Sequence, residues 1–255
     1  MKNIWIICQK ELRSYFVSPI AYLLLAMFAI VFGFFFWSGV SDFVYVGMES
    51  QMRGEGFPMN LNEFLIRPLL SNVAVIGLFL IPMISMRLFA EEKRNGTIEL
   101  LATSPIRDVE VILGKWLAAM ILYAGILLLA GLNFLWLFKY GNPDWKPMAI
   151  AYLGLLLQAG ELLAIGTFIS TLTRNQIIAG AATFGVCLLL WVLGWVGEFE
   201  MSTWSRVLSY LSVPSHFETF GKGLLYTKDL VFYVSMIVLG LFLASRSLES
   251  LRWRS

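Results

Sequence analysis

Trp116–Phe138 reads W-L-A-A-M-I-L-Y-A-G-I-L-L-L-A-G-L-N-F-L-W-L-F and contains no charged side chain. Wound as a helix at about 1.5 Å per residue, it is long enough for the roughly 30 Å hydrocarbon core of a bilayer. Stretches of the same kind surround it. Charge-free windows run from Ser14 to Ser41, Pro68 to Met86, Asn175 to Gly197 and Leu230 to Ser245, and another from Pro147 to Thr173 is interrupted only by Glu161. Leu230–Ser245 is short, but the flanking Lys228 and Arg246 can snorkel outward to fit it. The expected fold is an all-α integral membrane protein with six transmembrane helices, over 17–46, 66–88, 105–138, 148–173, 176–197 and 229–248.

Composition points the same way. Of 255 residues, 58% are hydrophobic and only 14% charged, against about 25% charged in soluble domains. A net charge of +2 argues against nucleic acid as a partner. Cys8, Cys187 and the single histidine, His216, form no metal-ligating spacing, and no disulfide is expected. No phosphate-binding loop, nucleophile elbow or H-E-x-x-H is present in the sequence, so no cofactor is expected in this chain. The first apolar run is far longer than a signal-peptide core of about 7–15 residues and is expected to be retained.

Basic residues set the expected orientation. With both termini cytoplasmic, twelve fall inside: Lys2, Lys10, Arg13, Arg87, Lys93, Arg94, Arg107, Lys115, Arg174, Arg246, Arg252 and Arg254. Seven fall outside, namely Arg53, Arg67, Lys139, Lys146, Arg206, Lys222 and Lys228. That bias favours inward-facing ends.

Three segments between or before the spans carry more pattern than a loop needs. In 1–16, Ile4, Trp5, Cys8, Leu12, Tyr15 and Phe16 share a helical face opposite Gln9, Lys10 and Arg13, which predicts an interfacial amphipathic helix. Glu11 falls on its apolar side, which is costly unless it finds a partner. Between the second and third spans, Glu91–Arg94 is a run of four charges and Asn95-Gly96 a turn signal. Thr97–Thr103 then predicts a short helix presenting Ile98, Leu100 and Leu101 to a partner. Ser104-Pro105 reads as an N-cap and first helical residue, with Asp108 and Glu110 suited to the first turn, so a helix from Pro105 is expected to run into the third span. Outside, Trp204, Val207, Leu208 and Leu211 recur at helical spacing, predicting a surface helix over 202–213 that Pro214 ends.

These stretches resemble a known family. Glu91–Lys115, E-E-K-R-N-G-T-I-E-L-L-A-T-S-P-I-R-D-V-E-V-I-L-G-K, resembles the signature loop of ABC-2 type transporter permeases. K-E-L-R-S-Y-F-V-S-P-I-A-Y (Lys10–Tyr22) resembles their N-terminal elbow, and S-T-L-T-R-N-Q-I-I-A (Ser170–Ala179) the turn between their fourth and fifth spans. P-S-H-F-E-T-F-G-K-G-L-L-Y-T-K-D-L-V-F-Y (Pro214–Tyr233) looks most like the gliding-motility-associated branch. The matches run in order over nearly the whole chain. The resemblance implies half of a transporter in a bacterial inner membrane. A second permease protomer, identical or related, would pair with this chain, and two copies of a separate ATPase would bind ATP and magnesium. An extracytoplasmic auxiliary protein could join them.

By the same resemblance, Glu91, Glu92, Arg94, Gly96, Thr97, Ile98, Leu100, Leu101 and Pro105 couple the spans to the ATPase, within a coupling loop and helix at 90–104. The elbow, with Glu11 and Arg13, is a second contact or a brace for it, and the segment around Trp204 resembles a re-entrant or lid-like segment at the outer mouth. Transport, expected to be export, would proceed by alternating access. Within the spans, Asn133, Gln158 and Glu161 are candidates for a translocation path or for polar contacts that hold helices together. His216 reads as a structural hydrogen-bonding residue. Two other functions stand beside transport. A scaffold with a mechanical or regulatory output would need the same coupling helix, and a lipid-modifying enzyme would need a cluster of catalytic polar residues that the sequence does not show.

Overall fold

The computed structural model describes residues 2–54, 60–97, 106–199 and 203–252, which form helices joined by short turns, with no strand among them. Helix α1 spans Lys2–Val17 and α2 Pro19–Met52. A π-helical turn at Asn62–Ile66 leads into α3, Arg67–Ser85, and a short α4 follows at Ala90–Arg94. Next come α5 (Asp108–Tyr140), α6 (Trp145–Leu172) and α7 (Gln176–Phe199). Two short helices, α8 (Thr203–Tyr210) and α9 (Val213–Gly221), precede α10 (Thr227–Arg252). Six of these segments are long and apolar enough to cross a membrane, carried by α2, α3, α5, α6, α7 and α10.

Two spans form the interior. In their apolar windows 72% of residues are buried for α3 and 56% for α6, against 22% for α2, α7 and α10. Helix α6 is the hub, packing on α3, α5, α7, α9 and α10. The apolar residues left outside, such as Phe34 and Trp37 on α2 and Leu128 and Leu132 on α5, are the surface that lipid would solvate. Helices α2 and α5 meet through aromatic rings, with Phe32 stacked on Phe28 at 5.5 Å and edge-on to Phe134 at 6.0 Å.

Helix boundaries follow local chemistry. The break between α1 and α2 falls at Ser18, whose extended backbone and hydroxyl cap the Ile20 N–H, with Pro19 opening α2. Helix α2 extends past the charge-free window to Met52, so its last turns, with Asp42 and Glu49, reach beyond the apolar zone.

Two sequence expectations need correction. Helix α5 begins at Asp108 and not at Pro105, because Arg107 is extended (ψ 139°) and the Glu110 carboxylate returns to accept the Arg107 N–H. The expected cap and first helical residue, Ser104 and Pro105, lie outside the described residues. Pro214 starts a helix instead of ending one: Ser212 is extended (ψ 121°), and proline in the first turn sacrifices no hydrogen bond, so α9 forms where a loop was expected.

Candidate functional site

The elbow helix α1 is docked on protein as well as facing outward. Its Ile4, Ile7, Cys8, Glu11 and Tyr15 turn inward, while Trp5, Ile6, Phe16 and Val17 remain exposed. Gly114 on α5 permits this approach: a Cβ there would lie 2.8 Å from the Ile7 Cβ and 2.9 Å from the Ile4 carbonyl. The Tyr15 hydroxyl donates to the Ile84 carbonyl at 3.2 Å, fixing α1 to the end of α3. Burial, with Glu11 nearby, pushes both the Tyr15 phenol and the Cys8 thiol above their usual ranges.

Glu11 finds its partner in Lys115, 104 residues away. The Lys115 ammonium is 2.8 Å from Glu11 Oε1 and 2.9 Å from Glu92 Oε1, only 2% exposed, and lies over the Phe89 ring. One amine thus joins α1, α4 and the first turns of α5. Lys10 adds a weaker contact to Glu92 at 4.0 Å. Beside this node, α1 and α4 enclose a cavity of about 580 Å³ bordered by Ile6, Ser14, Asn95 and Ile106. Glu92 Oε2 is buried there without a hydrogen-bond partner in the described residues.

Helix α4 and the turn after it carry Glu91, Glu92, Arg94, Gly96 and Thr97 of the sequence-predicted coupling residues, and the structure divides them. Glu91 accepts a two-pronged bond from Arg87, at 2.8 and 3.1 Å, and Arg87 also reaches the Ser18 hydroxyl at 3.2 Å. Glu91 and Glu92 are therefore engaged within the chain, while Arg94 and Thr97 are exposed. The helix ends on Asn95, whose N–H bonds the Glu91 carbonyl, and Gly96 follows at φ 71°, a left-handed turn that favours glycine. Ile98, Leu100, Leu101 and Pro105 lie outside the described residues.

A polar node at the base of six apolar helices, an elbow braced against it and an outgoing α4 turn form one arrangement. The profile of the ABC-2 family transporter proteins matches residues 5–246. This chain belongs to the ABC-2 transporter family. The probable multidrug ABC transporter permease YbhR of Escherichia coli K12 is 27% identical over 172 residues, covering 65% of this chain and 44% of YbhR. The protein of that name from Escherichia coli O157:H7 matches to the same extent. The alignment thus spans less than half the length of the curated relatives it matches.

In this ABC-2 protein no hydrogen bond joins the candidate path residues to one another among the described residues. The Asn133 amide donates to its own helix at Leu129, and Gln158 reaches across to the Ala74 carbonyl on α3 at 3.4 Å. Glu161 is fully buried, with neither carboxyl oxygen hydrogen-bonded among the described residues. Arg13 on the elbow is exposed.

A second cluster occupies the opposite face. His216 Nε2 faces the Tyr210 carbonyl at 2.8 Å, an acceptor only, and Nδ1 meets Asp229 Oδ1 at 2.7 Å. The Thr219 hydroxyl bonds Asp229 Oδ2 at 2.6 Å, and the imidazole stacks on Phe232 at 4.0 Å. Together these contacts clasp α8 and α9 onto the start of α10. On the same face Arg67 of α3 reaches Glu218 at 3.4 Å, and the Lys222 ammonium, hydrogen-bonded to it, holds that carboxyl below its usual range.

Sequence reasoning flagged Glu11 and Glu92 but missed Lys115 as their common partner. The available signal was a lysine wedged between Gly114 and Trp116 at the foot of a span, where an unpaired ammonium would be expensive.

Proposed function

We propose that this chain is the membrane permease of an ATP-driven exporter in a bacterial inner membrane, with both termini cytoplasmic. Two such chains pair, and each seats one copy of a separate ATPase, which binds ATP and magnesium, on the face formed by α1 and α4. The observation that carries this reading is the α1–α4 cavity beside the Lys115 node, open next to the Gly96 turn. Lys10 on its rim, with Arg13 of α1 and Arg94 of α4, supplies exposed cations suited to steering an acidic surface into place.

Nucleotide-driven motion of the ATPase pushes α4 and the segment that follows it, and the spans rearrange as semi-rigid bodies between inward- and outward-facing states. A groove of about 760 Å³ between α2, α3 and α7, bordered by Phe28, Phe79, Met83 and Phe184, supports a lipophilic solute as substrate. The naming of YbhR as a probable multidrug permease agrees with that class.

The test is Gly96→Pro in the reconstituted permease–ATPase complex. Proline fixes φ near −65° and cannot adopt the 71° found at Gly96, so the coupling segment is redirected while the spans still insert. ATP hydrolysis should lose its dependence on the permease, and dye export should stop. Coupling equal to that of the wild type would overturn the reading. The resemblance of Pro214–Tyr233 to gliding-motility permeases favours a second reading, in which the output is mechanical. Permease-stimulated hydrolysis without solute flux would select it.

A further inference from the structure

Helix α4 is not continuous with α3. The chain turns through Met86–Phe89 between them, so tertiary bonds and not a shared helix axis must set the direction of α4. A helix start leaves backbone N–H groups without partners, and a capping side chain at the N-cap usually accepts one of them. Phe89 holds that position here, and its side chain has no oxygen to offer.

The missing cap comes from the far end of α6. Ser170 Oγ accepts the Phe89 N–H at 3.0 Å and the Ala90 N–H at 3.1 Å, and donates to the Met86 carbonyl at 3.2 Å. A serine hydroxyl has one hydrogen and two lone pairs, and all three are used. Ser170, Phe89 and Ala90 are fully buried, which leaves water no access to replace these bonds. One residue further on, the Thr171 carbonyl accepts the Lys93 ammonium, so the last turn of α6 holds α4 at both its start and its fourth residue. Lys115 holds the same short helix from the side of α5 through Glu92.

We infer that Ser170 is a positioning residue that caps α4 across the fold and makes α4 and α6 move as one body. This rests on the reading that an ATPase pushes the α4 segment. The push then reaches α6 directly, and through it α3, α9 and α10, which all pack on α6. It does not have to travel only through the adjoining chain to α3 and α5. The stretch Ser170–Ala179 thereby acquires a role beyond turning the chain between two spans.

Spin labels at Asn95→Cys on the α4 exit and Leu153→Cys on the lipid side of α6 test this. Cys8 and Cys187 are replaced by alanine, and the labelled chain is diluted into unlabelled chain in the complex with its ATPase. Distances are measured nucleotide-free and after trapping with ATP and vanadate. The wild-type distance should be the same in both states. With Ser170→Ala it should change on trapping by about 3 Å or more, two residues of helical rise, while ATP hydrolysis continues, and Ser170→Thr should restore the fixed distance. A wild-type distance that changes on trapping, or a Ser170→Ala distance that does not, overturns the proposal. Should Ser170→Ala fail to accumulate, amide exchange in the wild-type complex decides: Phe89 and Ala90 protected in both states supports the cap, and exchange in the trapped state refutes it. If the wild-type chain forms no vanadate-trapped complex at all, the docking reading itself fails, before Ser170 is altered.

Discussion

Replacing Lys115 by methionine removes one amine and strands two carboxylates. The Glu11 and Glu92 side chains are 15% and 14% exposed, and the ammonium lies 2.8 and 2.9 Å from their oxygens, so water cannot readily take its place. Removing one partner of a buried ion pair costs about 3–5 kcal/mol, because the remaining charge is left uncompensated. Glu92 already carries one oxygen without a partner among the described residues, which places the cost toward the upper end of that range. A neutral triple variant, Lys115→Met with Glu11→Gln and Glu92→Gln, leaves no stranded charge and should recover most of the loss, since such replacements are often neutral or stabilising. Thermal unfolding of the purified protein in detergent reads both. The single variant should melt lower by roughly 10 °C, and the triple variant should return to within a few degrees of the wild type. A single variant that melts within one or two degrees of the wild type would refute the account of Lys115 as a buried node. So would a triple variant as unstable as the single one.

Other residues carry further consequences. Glu161→Gln removes a carboxyl that has no hydrogen bond among the described residues, so unfolding stability should stay within about 1 kcal/mol of the wild type or rise; a fall of several kcal/mol would expose a missing partner, and lost transport at unchanged stability would put Glu161 in the substrate path. Asp229→Asn weakens the clasp on His216 and Thr219, and amide exchange across α8 and α9 should accelerate about 5- to 150-fold, for a loss of about 1–3 kcal/mol; unchanged exchange would show that other contacts hold these helices. Cys8 is fully buried, with its thiol pushed upward by burial and by Glu11, so the reactive thiolate is scarcer at any given pH than for a free cysteine. Maleimide labelling of the folded protein should therefore be slow at neutral pH and quicken as pH rises, and rapid labelling at pH 7 would contradict the buried elbow.

The spans were legible in the sequence because the cost of placing a charge in hydrocarbon is paid residue by residue, and a run such as Trp116–Phe138 needs no knowledge of its neighbours. Glu11 was legible as a problem, since an acid on an apolar helix face demands a partner, but not as a solution. Lys115 lies 104 residues away, and only the packing that Gly114 permits brings the two together. Ser170 was hidden for the same reason: its hydroxyl caps backbone groups 80 and 81 positions earlier, and a cap is read from sequence only when it is local. Pro214 misled because proline both ends one helix and opens the next. The extended Ser212 before it, set by tertiary packing, decides which.

The central claim is that the α1–α4 face receives the ATPase. Photo-crosslinking in cells that co-express the two chains tests it most directly, with the crosslinking amino acid placed at Thr97 beside the cavity or at Tyr140 at the opposite end of α5. An adduct with the ATPase is expected from Thr97 and none from Tyr140. An adduct from Tyr140, or its absence from Thr97 in a complex that still hydrolyses ATP, would contradict the claim.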